Sequence, residues 1–130
     1  MKIMVDTNVL ISAIVFHGRP RELLVRLMES GHELFISSYI DREFRRKIRQ
    51  KWPTKAEDVL TVYKSIGFKT VESVDEQNAV LRDANDIPIL SDAIHYDMDI
   101  ILTGDKDFLE AGLVRPKAVT VAKMFDFLDR

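Results

Sequence analysis

The sequence predicts an α/β fold in which a central parallel sheet of about five strands carries helices on both faces. Short runs of β-branched and large apolar residues recur along the chain, and segments with helical spacing of apolar residues separate them. Parallel neighbours require a long crossover, and a helix is the usual one. With 130 residues, of which 46% are hydrophobic, the chain is expected to form a single domain over residues 1–130.

Five segments have the composition of strands. They are short, and glycine, serine or charged residues bound most of them. In chain order the predicted strands are Lys2–Val5, Glu33–Ile36, Lys69–Val71, Asp99–Leu102 and Ala118–Val121.

Six helices are predicted between and after these strands. The third begins at Ser37 or Ser38, ends before Pro53, and buries a stripe formed by Ile40, Phe44 and Ile48. The others are predicted at Thr7–Phe16, Pro20–Ser30, Thr54–Ile66, about Asp86 to Asp97, and Ala122–Leu128.

The composition excludes several classes of protein. Because the chain has no cysteine, it cannot form a disulfide framework, a zinc–thiolate site or a thiol nucleophile. Its apolar runs are far shorter than the ~20 residues of a membrane span, so we expect a soluble, cytoplasmic protein. The net charge of −2 argues against a protein that simply coats nucleic acid.

Carboxylates follow or accompany several predicted strands. Asp6 ends the first strand, Asp105 follows the fourth, Asp86 opens the fifth helix, and Glu43 lies in the helix after the second strand. Ligands of open parallel sheets bind beyond the carboxyl ends of the strands. Carboxylates within about 6 Å of each other repel by roughly 3 kcal/mol per pair at an effective dielectric of 20, so protons or a hard divalent cation must neutralise them.

Each acid also has a purely structural interpretation. Asp6 and Asp86 could cap helices, Asp105 and Asp107 are common turn residues, and Glu43 could pair with a lysine one turn away. The third acid of the group could be Asp83, Asp86 or Asp92. We choose Asp86, because Asp92 lies six residues further on and is turned away by about 600°.

A basic surface accompanies these acids. The third helix leaves Arg42, Arg45, Arg46 and Arg49 outside its apolar stripe. Such a row is most often a solvated helix face, but beside a cluster of carboxylates and metal it would suit contacts with phosphates.

Four motifs together resemble the PIN-domain family. They are Val5-Asp6-Thr7-Asn8-Val9-Leu10, Ser37-Ser38 followed by Glu43, Asp86-Ile87-Pro88-Ile89-Leu90, and Ile101-Leu102-Thr103-Gly104-Asp105-Lys106-Asp107-Phe108. Their order and spacing match the family over essentially the whole chain. PIN domains are compact α/β nucleases, and many single-domain members are VapC-type toxins of toxin–antitoxin pairs.

The resemblance implies roles for particular residues. Asp6, Glu43, Asp86 and Asp105 match the acidic quartet that binds Mg²⁺ or Mn²⁺, and Asp107 matches an auxiliary acid, while Asn8 and Thr103 match polar supports. The implied activity is metal-dependent endonucleolytic cleavage of single-stranded RNA. The implied partners are RNA, an antitoxin protein and, in a homodimer, a second copy of the chain.

Two other functions are compatible with the same acids. A phosphatase or phosphotransfer domain of doubly wound type also places an aspartate after its first strand and uses Mg²⁺, but such phosphatases need a second aspartate where this chain has Asn8. A non-catalytic module that binds RNA or protein would use the acids only as caps and turn residues.

Overall fold

A central sheet of five parallel strands organises the protein. The structure is a computed structural model and describes residues 1–74 and 87–130. The strands are β1 (Lys2–Val5), β2 (Glu33–Ser37), β3 (Lys69–Val71), β4 (Ile100–Leu102) and β5 (Lys117–Val119). The predicted α/β class and parallel sheet are thereby confirmed.

Seven α-helices connect and follow these strands within the described residues. They are α1 (Thr7–Ile11), α2 (Gly18–Glu29), α3 (Ser38–Lys51), α4 (Ala56–Ser65), α5 (Ile87–His95), α6 (Lys106–Leu109) and α7 (Val121–Leu128). None of the helices in the described part of the chain has the length and apolar character needed to cross a bilayer.

The strand order is β3-β2-β1-β4-β5, with every neighbouring pair parallel. Consecutive residues of the central strands are buried, including Ile3, Met4 and Val5 in β1 and Ile101 and Leu102 in β4. Because successive side chains of a strand point to opposite faces, both faces of the sheet are covered.

The predicted first helix is shorter than expected. After Ile11 the chain continues as a π-helical segment, Ser12–Phe16, instead of a regular α-helix. The Arg21 guanidinium donates hydrogen bonds to the backbone carbonyls of Ala13 and Ile14 at 2.8 and 2.7 Å. This side chain satisfies carbonyl groups that the wider turn leaves without regular partners.

Two other boundaries differ because of helix caps. The Thr120 hydroxyl accepts a hydrogen bond from the backbone N–H of Lys123, so β5 ends at Val119 and α7 begins at Val121. Asp105 caps α6 in the same way through the N–H of Asp107, which converts the predicted turn into a short helix.

Candidate active site

The strand order creates a switch point between β1 and β4. From β1 the chain adds β2 and then β3 on one side, and it later crosses to place β4 and β5 on the other side. At such a point the connections leave in opposite directions and open a crevice beyond the strand ends, where ligands bind. Asp6 directly follows β1 and Thr103 directly follows β4.

Asp6, Thr103 and Asp105 are joined by hydrogen bonds at this crevice. The Thr103 hydroxyl donates to Asp6 Oδ2 at 2.7 Å and accepts from the backbone N–H of Asp105 at 3.0 Å. Asp6 Oδ1 accepts from the N–H of Thr7 at 2.7 Å. Thr103 is fully buried, so its hydroxyl has a fixed environment and holds two acidic segments together.

The electrostatic environment of Asp6 is unfavourable to its charge. Asp6 is only 5% exposed, and burial raises its pKa above the usual value for aspartate. Hydrogen bonds from Thr103 and Thr7 oppose that rise in pKa, whereas the negative charges of Asp105 and Glu43 add to it. Three carboxylates from three separate segments therefore interact in this crevice.

Glu43 reaches the crevice from α3. Ser37 begins that helix by accepting a hydrogen bond from the N–H of Ile40 at 3.2 Å. Ile40, Phe44 and Ile48 are fully buried, as predicted, and they orient the helix on the core. The Tyr39 hydroxyl lies 3.4 Å from Glu43 Oε2, a contact that the sequence analysis missed although the i,i+4 spacing signals it.

The donor set fits a hard divalent cation. Asp6, Glu43 and Asp105 offer carboxylate oxygens, and neither histidine nor cysteine takes part. Within residues 1–74 and 87–130, however, no group of three or more such ligands is gathered closely enough to hold an ion. Asp86 and its alternative Asp83 lie outside the described residues.

Asp92, the remaining candidate for the third acid, is completely buried in α5. Its Oδ1 accepts a hydrogen bond from the backbone N–H of Val74 at 2.7 Å. This bond attaches α5 to the segment that follows β3. Its charge is not among the causes that shift the pKa of Asp6, which distinguishes Asp92 from Glu43 and Asp105.

The two remaining predicted residues lie at the edge of the crevice. Asn8 is exposed in the first turn of α1, and no hydrogen bond from its side chain joins it to the rest of the described chain. Asp107 is half-buried, and its backbone N–H donates to Asp105 Oδ1 at 2.8 Å. Asp107 thus shapes the turn that presents Asp105.

The four predicted arginines of α3 do not form a uniform surface. Arg42, Arg46 and Arg49 are exposed, whereas Arg45 is half-buried. Arg45 Nε donates to both carboxylate oxygens of Asp41 at 3.0 and 3.1 Å, and its guanidinium lies 5.5 Å from the centre of the Tyr63 ring. These contacts tie Arg45 to the protein.

A parallel sheet with acidic side chains at its β1–β4 switch point defines a nuclease-like α/β domain. The chain matches the family described as PIN domain over residues 2–107, and it belongs to that family, whose members are generally nucleases that use divalent metals.

One solved structure resembles it over nearly the whole fold. This is the crystal structure of VapBC2 from Rickettsia felis bound to a DNA fragment from their promoter, with 19% sequence identity and a TM-score of 0.71. The match covers 92% of this chain and 98% of that chain. The likeness shows the shared fold. A search among curated proteins found no match.

Proposed function

We propose that the protein is a metal-dependent endoribonuclease that cleaves single-stranded RNA and serves as the toxin of a toxin–antitoxin pair. The junction of Asp6, Thr103 and Asp105 at the switch point carries this proposal. Membership of the PIN-domain family and the structural likeness to VapBC2 support it.

Asp6, Glu43 and Asp105 would hold Mg²⁺ or Mn²⁺ together with Asp86, and Asp107 would assist them. When bound, the cation would lower the pKa of a water molecule and neutralise charge on the phosphodiester. Thr103 keeps the Asp6 carboxylate oriented by its hydrogen bond, and burial of Asp6 restricts the competition of bulk water. Asn8, exposed at the rim, is placed to contact the substrate.

The arginine face of α3 favours a polyanionic substrate. Arg42, Arg46 and Arg49 are spaced i, i+4 and i+7, so they project from one side of the helix that also carries Glu43. Arginines on such a surface contact phosphates and position a nucleic acid without reading its sequence. Arg45 would contribute less to RNA binding than the sequence suggests, because Asp41 already engages its guanidinium.

Cleavage of single-stranded RNA in Mn²⁺ tests this function. We expect the wild-type protein to cleave and Asp6→Asn, Asp86→Asn and Asp105→Asn to be inactive while remaining folded. Asp99→Asn is the matched control, because Asp99 lies at the opposite edge of the sheet and bonds the backbone N–H of Lys2. Intact RNA in every sample would refute the proposal and favour a non-catalytic binding module. Release of phosphate from small phosphomonoesters would instead indicate the phosphatase alternative.

The proposal includes two protein partners that the family resemblance implies. One is an antitoxin, and the other is a second copy of the chain in a homodimer. Light scattering after size-exclusion chromatography measures the mass of the isolated chain and of the chain mixed with the product of the neighbouring gene. A monomer would refute the homodimer, and failure of the neighbouring product to inhibit cleavage would refute its role as antitoxin.

A further inference from the structure

A second surface groove lies beside the candidate active site. It has a volume of about 750 Å³ and runs between α6, β5 and α7. Phe108, Val119 and Met124 contribute to its apolar floor. This groove has no part in the function proposed above.

The wall formed by α7 and the residues after it combines positive charge with an aromatic ring. Lys123, Phe127 and Arg130 follow one another at i, i+4 and i+7 and line the groove. All three are exposed, Phe127 by 45%. Neither Lys123 nor Arg130 forms an ion pair within the described part of the chain, and no carboxylate is among the groove's lining residues. We call these three residues the α7 row.

The groove opens at the same edge of the sheet as the carboxylates. Thr120, which lines it, directly follows β5, and Asp105 caps the helix that supplies Phe108. The arginine face of α3 starts from the carboxyl end of β2, on the other side of β1 and β4. Three strand spacings of about 4.8 Å separate β2 from β5, which is roughly 14 Å.

The chemistry of the α7 row matches single-stranded nucleic acid. Exposed cations contact phosphates, and an exposed aromatic ring stacks on an unpaired base in proteins that bind single strands. Apolar floor and positive rim together suit a base with its attached phosphate. We infer that the α7 row is a second RNA-binding surface, on which the strand continues after crossing the carboxylates from α3. This inference rests on the proposed ribonuclease function and adds the path of the substrate.

Binding of a labelled oligoribonucleotide tests the inference. Fluorescence anisotropy with a single strand of about 12 nucleotides, a length within the range of known single-strand sites, is measured in EDTA over a series of salt concentrations. The variants are the double change Lys123→Ala with Arg130→Ala, and Phe127→Ala. Lys64→Ala is the matched control, because Lys64 is an exposed cation in the last turn of α4, close to the opposite edge of the sheet.

The double variant is expected to lower the slope of log K against log salt by about 1.4, because each phosphate of a single strand that is no longer neutralised lowers it by about 0.7. Phe127→Ala should weaken binding on the order of tenfold, with the slope unchanged, because stacking involves no counterion release. Lys64→Ala should match the wild type. The single changes Lys123→Gln and Arg130→Gln, at about 0.7 each, provide the same test if the double variant does not fold.

Equal slopes for the double variant and Lys64→Ala would overturn the inference. Cleavage of the same oligonucleotide by the wild-type protein in Mn²⁺ is measured in parallel. If the wild type cleaves and the slopes are equal, the ribonuclease function stands and the α7 row is excluded from the RNA path. If the wild type neither binds nor cleaves, the function and the inference both fail.

Discussion

Asp6→Asn should stabilise the protein in the absence of metal. The pKa of Asp6 is raised by burial and by the charges of Asp105 and Glu43, so its ionised form is unfavourable in the folded state. Each repulsion amounts to roughly 3 kcal/mol at about 6 Å and an effective dielectric of 20. Asparagine removes that repulsion and keeps an oxygen that accepts from the N–H of Thr7.

The substitution also has a cost. The asparagine amide cannot accept the hydrogen bond that the Thr103 hydroxyl now donates to Asp6 Oδ2, and losing it costs about 1–3 kcal/mol. We therefore expect a net stabilisation of about 1–2 kcal/mol in EDTA, where each kcal/mol shifts Tm by roughly 3–5 °C for a chain of this size.

Thermal unfolding with and without Mn²⁺ measures both effects. The wild type should gain about 2.7 kcal/mol at a metal concentration 100 times its Kd, whereas Asp6→Asn should gain much less because it lacks one ligand. The order of stability of the two proteins therefore reverses when metal is added. Asp99→Asn, the control at the other edge, should be less stable than the wild type in both conditions.

Acidification gives a further check on the cause. As the pH falls through the raised pKa of Asp6, the wild-type carboxyl takes up a proton in the folded state and the repulsion disappears. The stability difference between wild type and Asp6→Asn should then narrow. The reasoning is refuted if Asp6→Asn is less stable than wild type in EDTA at neutral pH, or if both gain equally from Mn²⁺.

Two other predictions concern neighbouring and distant groups. Thr103→Val should lower stability by about 1–3 kcal/mol, because Asp6 Oδ2 and the N–H of Asp105 lose their partner, and metal affinity should fall about 10–100-fold; unchanged affinity in a metal titration would contradict the positioning role. The pKa of Asp99 is lowered by the backbone N–H of Lys2 and by Arg115, so its stabilisation should be present near neutral pH and disappear as the pH falls through that lowered pKa. Urea unfolding of wild type and Asp99→Asn over this pH range should converge at acid pH, and a constant difference would show that Asp99 acts through packing alone.

Local periodicity was sufficient to predict most of the fold. The stripe of Ile40, Phe44 and Ile48 placed α3 correctly, because a 3.6-residue period depends only on neighbours along the chain. The end of the first helix was not predictable in this way. It depends on hydrogen bonds from Arg21 to the carbonyls of Ala13 and Ile14, which belong to the preceding segment.

The candidate site shows the same division. The sequence indicated that Asp6 and Asp105 end up near each other, because the carboxyl ends of parallel strands share an edge. It could not indicate that the Thr103 hydroxyl joins them, since that bond connects residues 97 positions apart. Nor could it separate Arg45 from the other arginines, because Asp41 and Tyr63 engage it only when α3 and α4 are packed together.

By itself the sequence determined the α/β class, the order of its elements and the residue types available for cation and phosphate chemistry, since these follow from composition and short-range pattern. The tertiary structure alone decided which of these side chains are buried together, which hydrogen bonds hold them and which cations stay exposed. Burial and charge interaction depend on distance in space, and spacing along the chain does not specify that distance.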